Sequence, residues 1–150
     1  MTVEHPFNKI VEGIGVSDIR QFDAEVSSIP GIIKLTLGEP NFDTPEHIKE
    51  AAIQAIKDNH SHYTPNSGIP ELRQAAAEYY NKKFNFNYTG DQVITTIGAT
   101  EGIAASLQAI LNPGDTVIVP TPVFPLYLPI TLVNQGNFIT VDTSNDGFVL

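Results

Sequence analysis

Val93-Ile94-Thr95-Thr96-Ile97-Gly98-Ala99-Thr100-Glu101-Gly102-Ile103 is the stretch on which the reading of this chain turns. Apolar and β-branched residues run from Val93 to Ile97, small residues follow, and Ile103, Leu107, Ile110 and Leu111 then recur at helical spacing. That order predicts a strand over 93–97 that passes through a tight turn into a helix over 100–111. Small residues let a ligand approach the backbone. A helix start offers N–H groups at the positive end of its dipole, and Thr100 adds a hydroxyl. The segment therefore reads either as an anion site, most naturally for a phosphate, or as a strand-to-helix turn that binds nothing.

The segments that follow keep the same alternation. Asn112-Pro113-Gly114-Asp115 is a turn, and Thr116 to Val119 is a nearly continuous apolar strand, as expected when both faces are covered. Pro125 to Gln135 reads as a helix or broken helix, and Phe138 to Val141 as another strand. This βαβαβ order implies an α/β fold whose parallel or mixed sheet carries helices on both faces. Pro120-Thr121-Pro122-Val123-Phe124-Pro125-Leu126-Tyr127 lies at the carboxyl end of a strand, where open α/β sheets hold ligands. Phe124 can stack there on a flat heterocycle, or Phe124 and Tyr127 are ordinary core residues.

Before the turn, the chain is mostly helical. Residues 1–30 form an arm with a weak helical period from Ser17 to Ser28, Ile32 to Leu35 is a brief strand candidate, and Gly38-Glu39-Pro40-Asn41 is a loop. Thr44-Pro45-Glu46 predicts a helix start with Thr44 as the cap and Pro45 as the first helical residue. Ile48, Ala52 and Ile56 give that helix one apolar face, and it stops near Asn59. His60 to Ile69 is a loop that contains Tyr63-Thr64-Pro65-Asn66-Ser67-Gly68. Pro70 then opens a helix with Leu72, Ala75, Ala76, Tyr79 and Tyr80 on one side. At the other end, Phe148-Val149-Leu150 stops in mid-run after the turn Asn145-Asp146-Gly147, so the chain is expected to have continued past Leu150.

Composition narrows the functions available. Of 150 residues, 41% are hydrophobic and 17% charged, an ordinary globular balance. The net charge of −9 repels phosphodiester backbones and anionic lipid, so neither nucleic acid nor a membrane surface is an expected partner. The absence of cysteine excludes disulfides, thiolate metal sites and a cysteine nucleophile. Met1 to Lys9 lacks the basic and apolar regions of a signal peptide, and no apolar run approaches about 18 residues, so the cytoplasm is the expected location. His60-x-His62 has no spaced acidic partner, and no metal is expected there. Gly13-x-Gly15 lacks a third glycine and a preceding strand, so it is no dinucleotide fingerprint.

Taken together, Leu37-Gly38-Glu39-Pro40-Asn41-Phe42-Asp43-Thr44-Pro45, Tyr63 with Gly68 and Leu72-Arg73, Gly98-Ala99-Thr100-Glu101, and Asn112-Pro113-Gly114-Asp115 followed by Pro120-x-Pro122-x-Phe124 resemble the class I/II aminotransferases in order and spacing. These are the fold type I enzymes that use pyridoxal 5′-phosphate (PLP). The resemblance covers the chain from about Ile32 to Leu150. It implies an N-terminal arm and small-domain segment over residues 1–44. Over 45–150 it implies the first part of the large domain, with its mixed, mostly parallel sheet cut short. It further implies that Gly98, Ala99 and Thr100 hold the PLP phosphate, that Phe124 stacks on the pyridine ring, and that Tyr63 reaches the phosphate in the partner subunit of a homodimer. Gly38 matches a loop glycine near the substrate carboxylate.

The family places its Schiff-base lysine, the acid facing the pyridine nitrogen and the substrate-carboxylate arginine beyond the point where this sequence stops. Lys9, Lys34, Lys49, Lys57, Lys82 and Lys83 do not match the lysine motif, so no catalytic residue is assigned within the chain. The implied activity is transfer of an amino group from an amino acid to a 2-oxo acid. The Leu37–Phe42 and Pro122–Pro125 stretches look most like subgroups acting on aromatic amino acids or on N-acetyl-diaminopimelate. The alternatives are a non-catalytic fragment that binds phosphate-bearing ligands or self-associates, and an unrelated nucleotide-binding α/β domain, against which the motif order argues.

Overall fold

The structure is a computed structural model and describes residues 7–15 and 18–149. The first six residues, Val16, the Ser17 start of the expected arm helix, and Leu150 lie outside the described residues. The chain divides into two compact units, one of residues 1–37 with 97–150 and one of residues 38–96.

In the first unit the arm forms helices α1 (Lys9–Glu12) and α2 (Asp18–Val26). Asn8 caps α1 by accepting the Ile10 N–H at 2.9 Å. The expected strand at Ile32–Leu35 is irregular backbone instead. It is tied back onto α2 by side chains: Lys34 Nζ lies 3.4 Å from the Asp23 carboxylate and 3.1 Å from Ser27 Oγ, and the Thr36 hydroxyl donates to Asp23. Helix α5 (Gly98–Ile110) then leads through the Asn112–Asp115 turn to strand β1 (Thr116–Thr121). Helix α6 (Tyr127–Val133) crosses over to strand β2 (Asn137–Asp142). β1 and β2 pair in parallel, Thr116 opposite Asn137 through Thr121 opposite Asp142.

From α5 onward the expected order of elements is present, and among the described residues one face of the sheet is covered. Val119 is buried at 6% exposure while its neighbour Ile118 is 63% exposed. Cover comes from α6, whose Ile130 and Thr131 are buried. Thr131 has no exposed surface and donates its hydroxyl to the Tyr127 carbonyl at 2.8 Å. Gly136 is needed where α6 turns into β2: a Cβ there would meet Thr131 Cγ2 at 3.0 Å and the Asp115 carbonyl at 3.3 Å.

The second unit is built on α3 (Glu46–Lys57) and α4 (Pro70–Phe84). Pro45, not Thr44, is the N-cap of α3, and no side chain caps it; Glu46 in the first turn meets the dipole instead. Pro70 does occupy the first turn of α4. The covered side of α4 differs from the expected one. Ala77 is buried and Arg73 and Ala76 are half-buried, whereas Tyr79 and Tyr80 are 56% and 50% exposed. The tyrosines pack instead into a run of rings with Phe84, Phe86 and Tyr88, with centroids 5.3–5.8 Å apart.

Arg73 organises this unit. Its Nε donates to the carbonyls of Gly90 and Val93 at 2.9 Å each, and its Nη2 lies 3.0 Å from Asp91. It thereby pins the 3-10 turn Gly90–Gln92, which Thr89 and Gln92 close as a capping box. The expected strand over 93–97 is absent, although Val93 is extended. The Val93 carbonyl is taken by Arg73, and the Thr95 N–H donates to Ser67 O at 3.0 Å.

Two predictions follow from these contacts. Gly68 has φ +97, and a Cβ there would fall 2.0–3.0 Å from the branched Thr95 side chain. Left-handed strain plus overpacking make Gly68→Ala cost about 2–4 kcal/mol, read as a lower urea midpoint by circular dichroism. The second concerns acid. The Asn112 N–H and side-chain amide hold the Asp115 carboxyl below the ordinary carboxylate range. Ser144 does the same for Asp142, and the Thr36 hydroxyl, with Lys34, for Asp23. Carboxylates lowered in the folded chain contribute stability above about pH 4 and lose it as pH falls through their folded values. Urea midpoints should therefore drop on acidification, and Asp115→Asn should flatten part of that drop. An unaltered pH profile in Asp115→Asn would refute the assignment.

Candidate functional site

The carboxyl end of β1 is held in place from the far side of the sheet. The Thr143 N–H and the Thr143 hydroxyl both donate to the Thr121 carbonyl, each at 3.0 Å. The chain then leaves through the cis Thr121–Pro122 peptide and carries Phe124, 62% exposed, toward α6. This loop borders a cavity of about 640 Å³.

The start of α5 borders the same cavity. Gly98 takes φ +72, a left-handed conformation, and nothing lies within 4 Å of where its Cβ would be. A glycine is required here by backbone geometry and not by crowding. One residue earlier, the Ile97 N–H donates to the Glu101 carboxylate. Ala99 and Thr100 follow in the first turn, where N–H groups have no partner within the helix. Thr100 lines the cavity together with Phe124.

Two of the residues singled out in the sequence, Thr100 and Phe124, are thus brought to one cavity, and Gly98 and Ala99 belong to the turn that opens on it. Gly38 and Tyr63 belong to the 38–96 unit. Both are exposed; no atom crowds Gly38, and Tyr63 is free of cover over its whole ring.

Sequence reading missed the opposite wall. Gly13, Ile14 and Gly15, with Asp18, Ile19 and Arg20 of α2, line the cavity, as do Leu126, Leu128, Pro129 and Leu132. Asp18 and Arg20 are its charged groups among the described residues. The pair of glycines around Ile14 was the available signal.

The cavity lies in the range of roughly 300–1,000 Å³ usual for small-molecule sites. Its apolar wall with one aromatic ring suits a flat heterocycle, and the hydroxyl and first-turn N–H groups suit a phosphate ester. Those are the two halves of PLP, so the residues present fit that group. No cluster of three or more His, Cys, Asp or Glu among the described residues is placed to hold a metal.

Comparison with known proteins bears on the same residues. The family description "Aminotransferase class I and II" matches residues 30–150. A probable N-acetyl-LL-diaminopimelate aminotransferase of Bacillus subtilis is 44% identical over 149 residues, 99% of this chain and 38% of the relative. An aspartate aminotransferase of Pyrococcus horikoshii is 46% identical over 111 residues, 74% of this chain and 28% of the relative. Among solved structures, the aspartate aminotransferase of Thermus thermophilus with maleate superposes with a TM-score of 0.90 at 34% identity, covering 97% of this chain and 40% of that one. The chain thus spans two fifths or less of the length of these relatives.

The geometry at Gly98 sets a test. Gly98→Ala should lose about 1–2 kcal/mol in urea unfolding, because alanine pays for φ +72. Gly15→Ala, where nothing crowds the position and φ is ordinary, should stay within about 0.5 kcal/mol of the parent. Equal stabilities for the two variants would rule out the left-handed turn.

Proposed function

The chain belongs to the class I and II aminotransferases and carries the α/β fold of the type I PLP enzymes expected from its sequence; on that premise we propose that it forms the N-terminal part of a PLP-dependent aminotransferase. The observation that carries this reading is the shared cavity of Thr100 and Phe124. When bound, PLP supplies an electron sink for moving an amino group between an amino acid and a 2-oxo acid.

The chain's own residues bind and orient. The Thr100 hydroxyl and the backbone of Gly98, Ala99 and Thr100 hold the phosphate, and Phe124 covers one face of the ring. The resemblance assigns Gly38 to the substrate carboxylate and Tyr63 to the phosphate in the partner subunit of a homodimer, which we place in the cytoplasm. It also gives residues 1–44 to an arm and small-domain segment and 45–150 to the start of the large domain. No helix among the described residues is long and apolar enough to cross a membrane.

Of the two substrate classes read from the sequence, N-acetyl-diaminopimelate has the stronger support, since the Bacillus subtilis relative matches over 99% of the chain. The 150-residue chain holds part of the cofactor site and, by itself, is inactive.

Titration of the purified chain with PLP, followed by borohydride reduction, tests the reading. PLP should bind more tightly than pyridoxal, which lacks the phosphate. Thr100→Val and Phe124→Ala should each weaken PLP binding by about tenfold. No single lysine should be labelled on reduction, and no amino transfer should be measured. Equal binding of PLP and pyridoxal would sink the phosphate assignment. Turnover, or labelling of one lysine, would sink the claim that the catalytic lysine lies outside this sequence.

A further inference from the structure

The first turn of α5 contains a group that the cofactor reading leaves unused. Glu101 is exposed, forms no ion pair among the described residues and does not line the cavity. Its carboxylate instead accepts the Ile97 N–H, just before the left-handed Gly98. Glu101 is the fourth residue of the helix, one beyond the capping-box position, and its carboxylate reaches back to satisfy a backbone donor that the helix cannot. The same carboxylate lies at the positive end of the α5 dipole, which it stabilises. A phosphate at that helix end would compete with it for the same field.

Resting on the cofactor reading above, we propose that Glu101 is a positioning residue for the phosphate-binding turn, holding Ile97 and Gly98 in place while its charge limits how tightly the phosphate binds. The two effects have opposite signs and can be separated by two substitutions. Glutamine keeps a carbonyl acceptor for the Ile97 N–H and removes the charge. Alanine removes both. Glu101→Gln against the parent therefore reads the charge, and Glu101→Ala against Glu101→Gln reads the hydrogen bond.

The probes are pyridoxamine 5′-phosphate and pyridoxamine, which differ by the phosphate and cannot react with surface lysines. By fluorescence titration, Glu101→Gln should bind pyridoxamine 5′-phosphate about three- to tenfold more tightly than the parent. Glu101→Ala should bind it about tenfold more weakly than Glu101→Gln. Pyridoxamine affinity should be the same in all three chains. Hydrogen exchange of the Ile97 amide, read without any ligand, should be equally slow in the parent and Glu101→Gln and about tenfold faster in Glu101→Ala.

Weaker binding by Glu101→Gln than by the parent, or equal binding by the alanine and glutamine chains, would overturn the proposal. So would unchanged exchange of the Ile97 amide in Glu101→Ala. If none of the three chains binds pyridoxamine 5′-phosphate, it is the cofactor reading that fails. The Ile97 amide then decides the positioning claim alone, upheld by faster exchange in Glu101→Ala and overturned by unchanged exchange.

Discussion

Parallel pairing of β1 with β2 is the constraint on which the first unit depends. Parallel strands cannot be joined by a tight hairpin, so the chain from Pro122 to Gly136 must travel back along the sheet, and α6 is the form that the return takes. Both ends of the pairing are locked. At the start, the Asn137 N–H donates to Asp115 O at 2.7 Å and its side chain to Gly114 O at 2.8 Å. At the far end, Thr143 donates twice to Thr121 O. A slip of one residue would exchange the buried Val119 for the exposed Ile118. With register fixed in this way, the carboxyl end of β1 becomes a stable origin for the loop that carries Phe124.

The cavity beside that loop draws on three parts of the sequence that lie far apart: the arm around Ile14, the first turn of α5 at Thr100, and the segment from Phe124 to Leu132. Its chemistry is set by scarcity as much as by placement. The chain has two arginines in a net charge of −9. Arg73 is committed to the backbone of Gly90 and Val93 and to Asp91. Arg20 is the one that borders the cavity. An anion there would meet Arg20, offset by Asp18, and the backbone N–H groups of the first turn of α5, which carry no formal charge and need a fixed turn to be effective. The left-handed Gly98 and the bond from Ile97 to Glu101 fix that turn.

How far the sequence could be read follows from the kind of interaction that makes each feature. Helices α3, α4 and α5 were legible because period, proline placement and small-residue turns are local signals. β1 and β2 were legible from apolar runs between turns. The segments 93–97 and 32–35 carry strand composition but not strand structure, because a strand exists only through a partner. Thr95 spends its N–H on Ser67, Val93 spends its carbonyl on Arg73, and Lys34 is drawn to Asp23. The covered side of α4 was misjudged for a related reason: Tyr79 and Tyr80 stack with neighbouring rings, and Arg73 goes inward with its charge met by carbonyls and Asp91. Thr100 and Phe124 do line one cavity; Phe124 follows the carboxyl end of β1, whereas Thr100 sits at a helix start with no strand before it among the described residues. The wall of Gly13, Ile14, Gly15, Asp18, Ile19 and Arg20 was not legible, because a contact between the arm and the Phe124 loop leaves no periodic trace in the sequence.

The apolar residues that remain open form patterns too regular to be incidental. Ile48, Ile53 and Ile56 project from α3 at 49–71% exposure, and Ile118, Ile139 and Val141 stand open on β1 and β2 at 40–63%. The buried hydrophobic residues among those described are Val26, Ala77, Val119 and Ile130, each from a different element. A helix stripe and a strand that is apolar on both faces are both patterns that demand cover. The reading of β1 as a strand covered on both faces therefore described a property of its sequence that the described residues satisfy on one side only. The turn at Gly98, by contrast, is closed by its own local bonds.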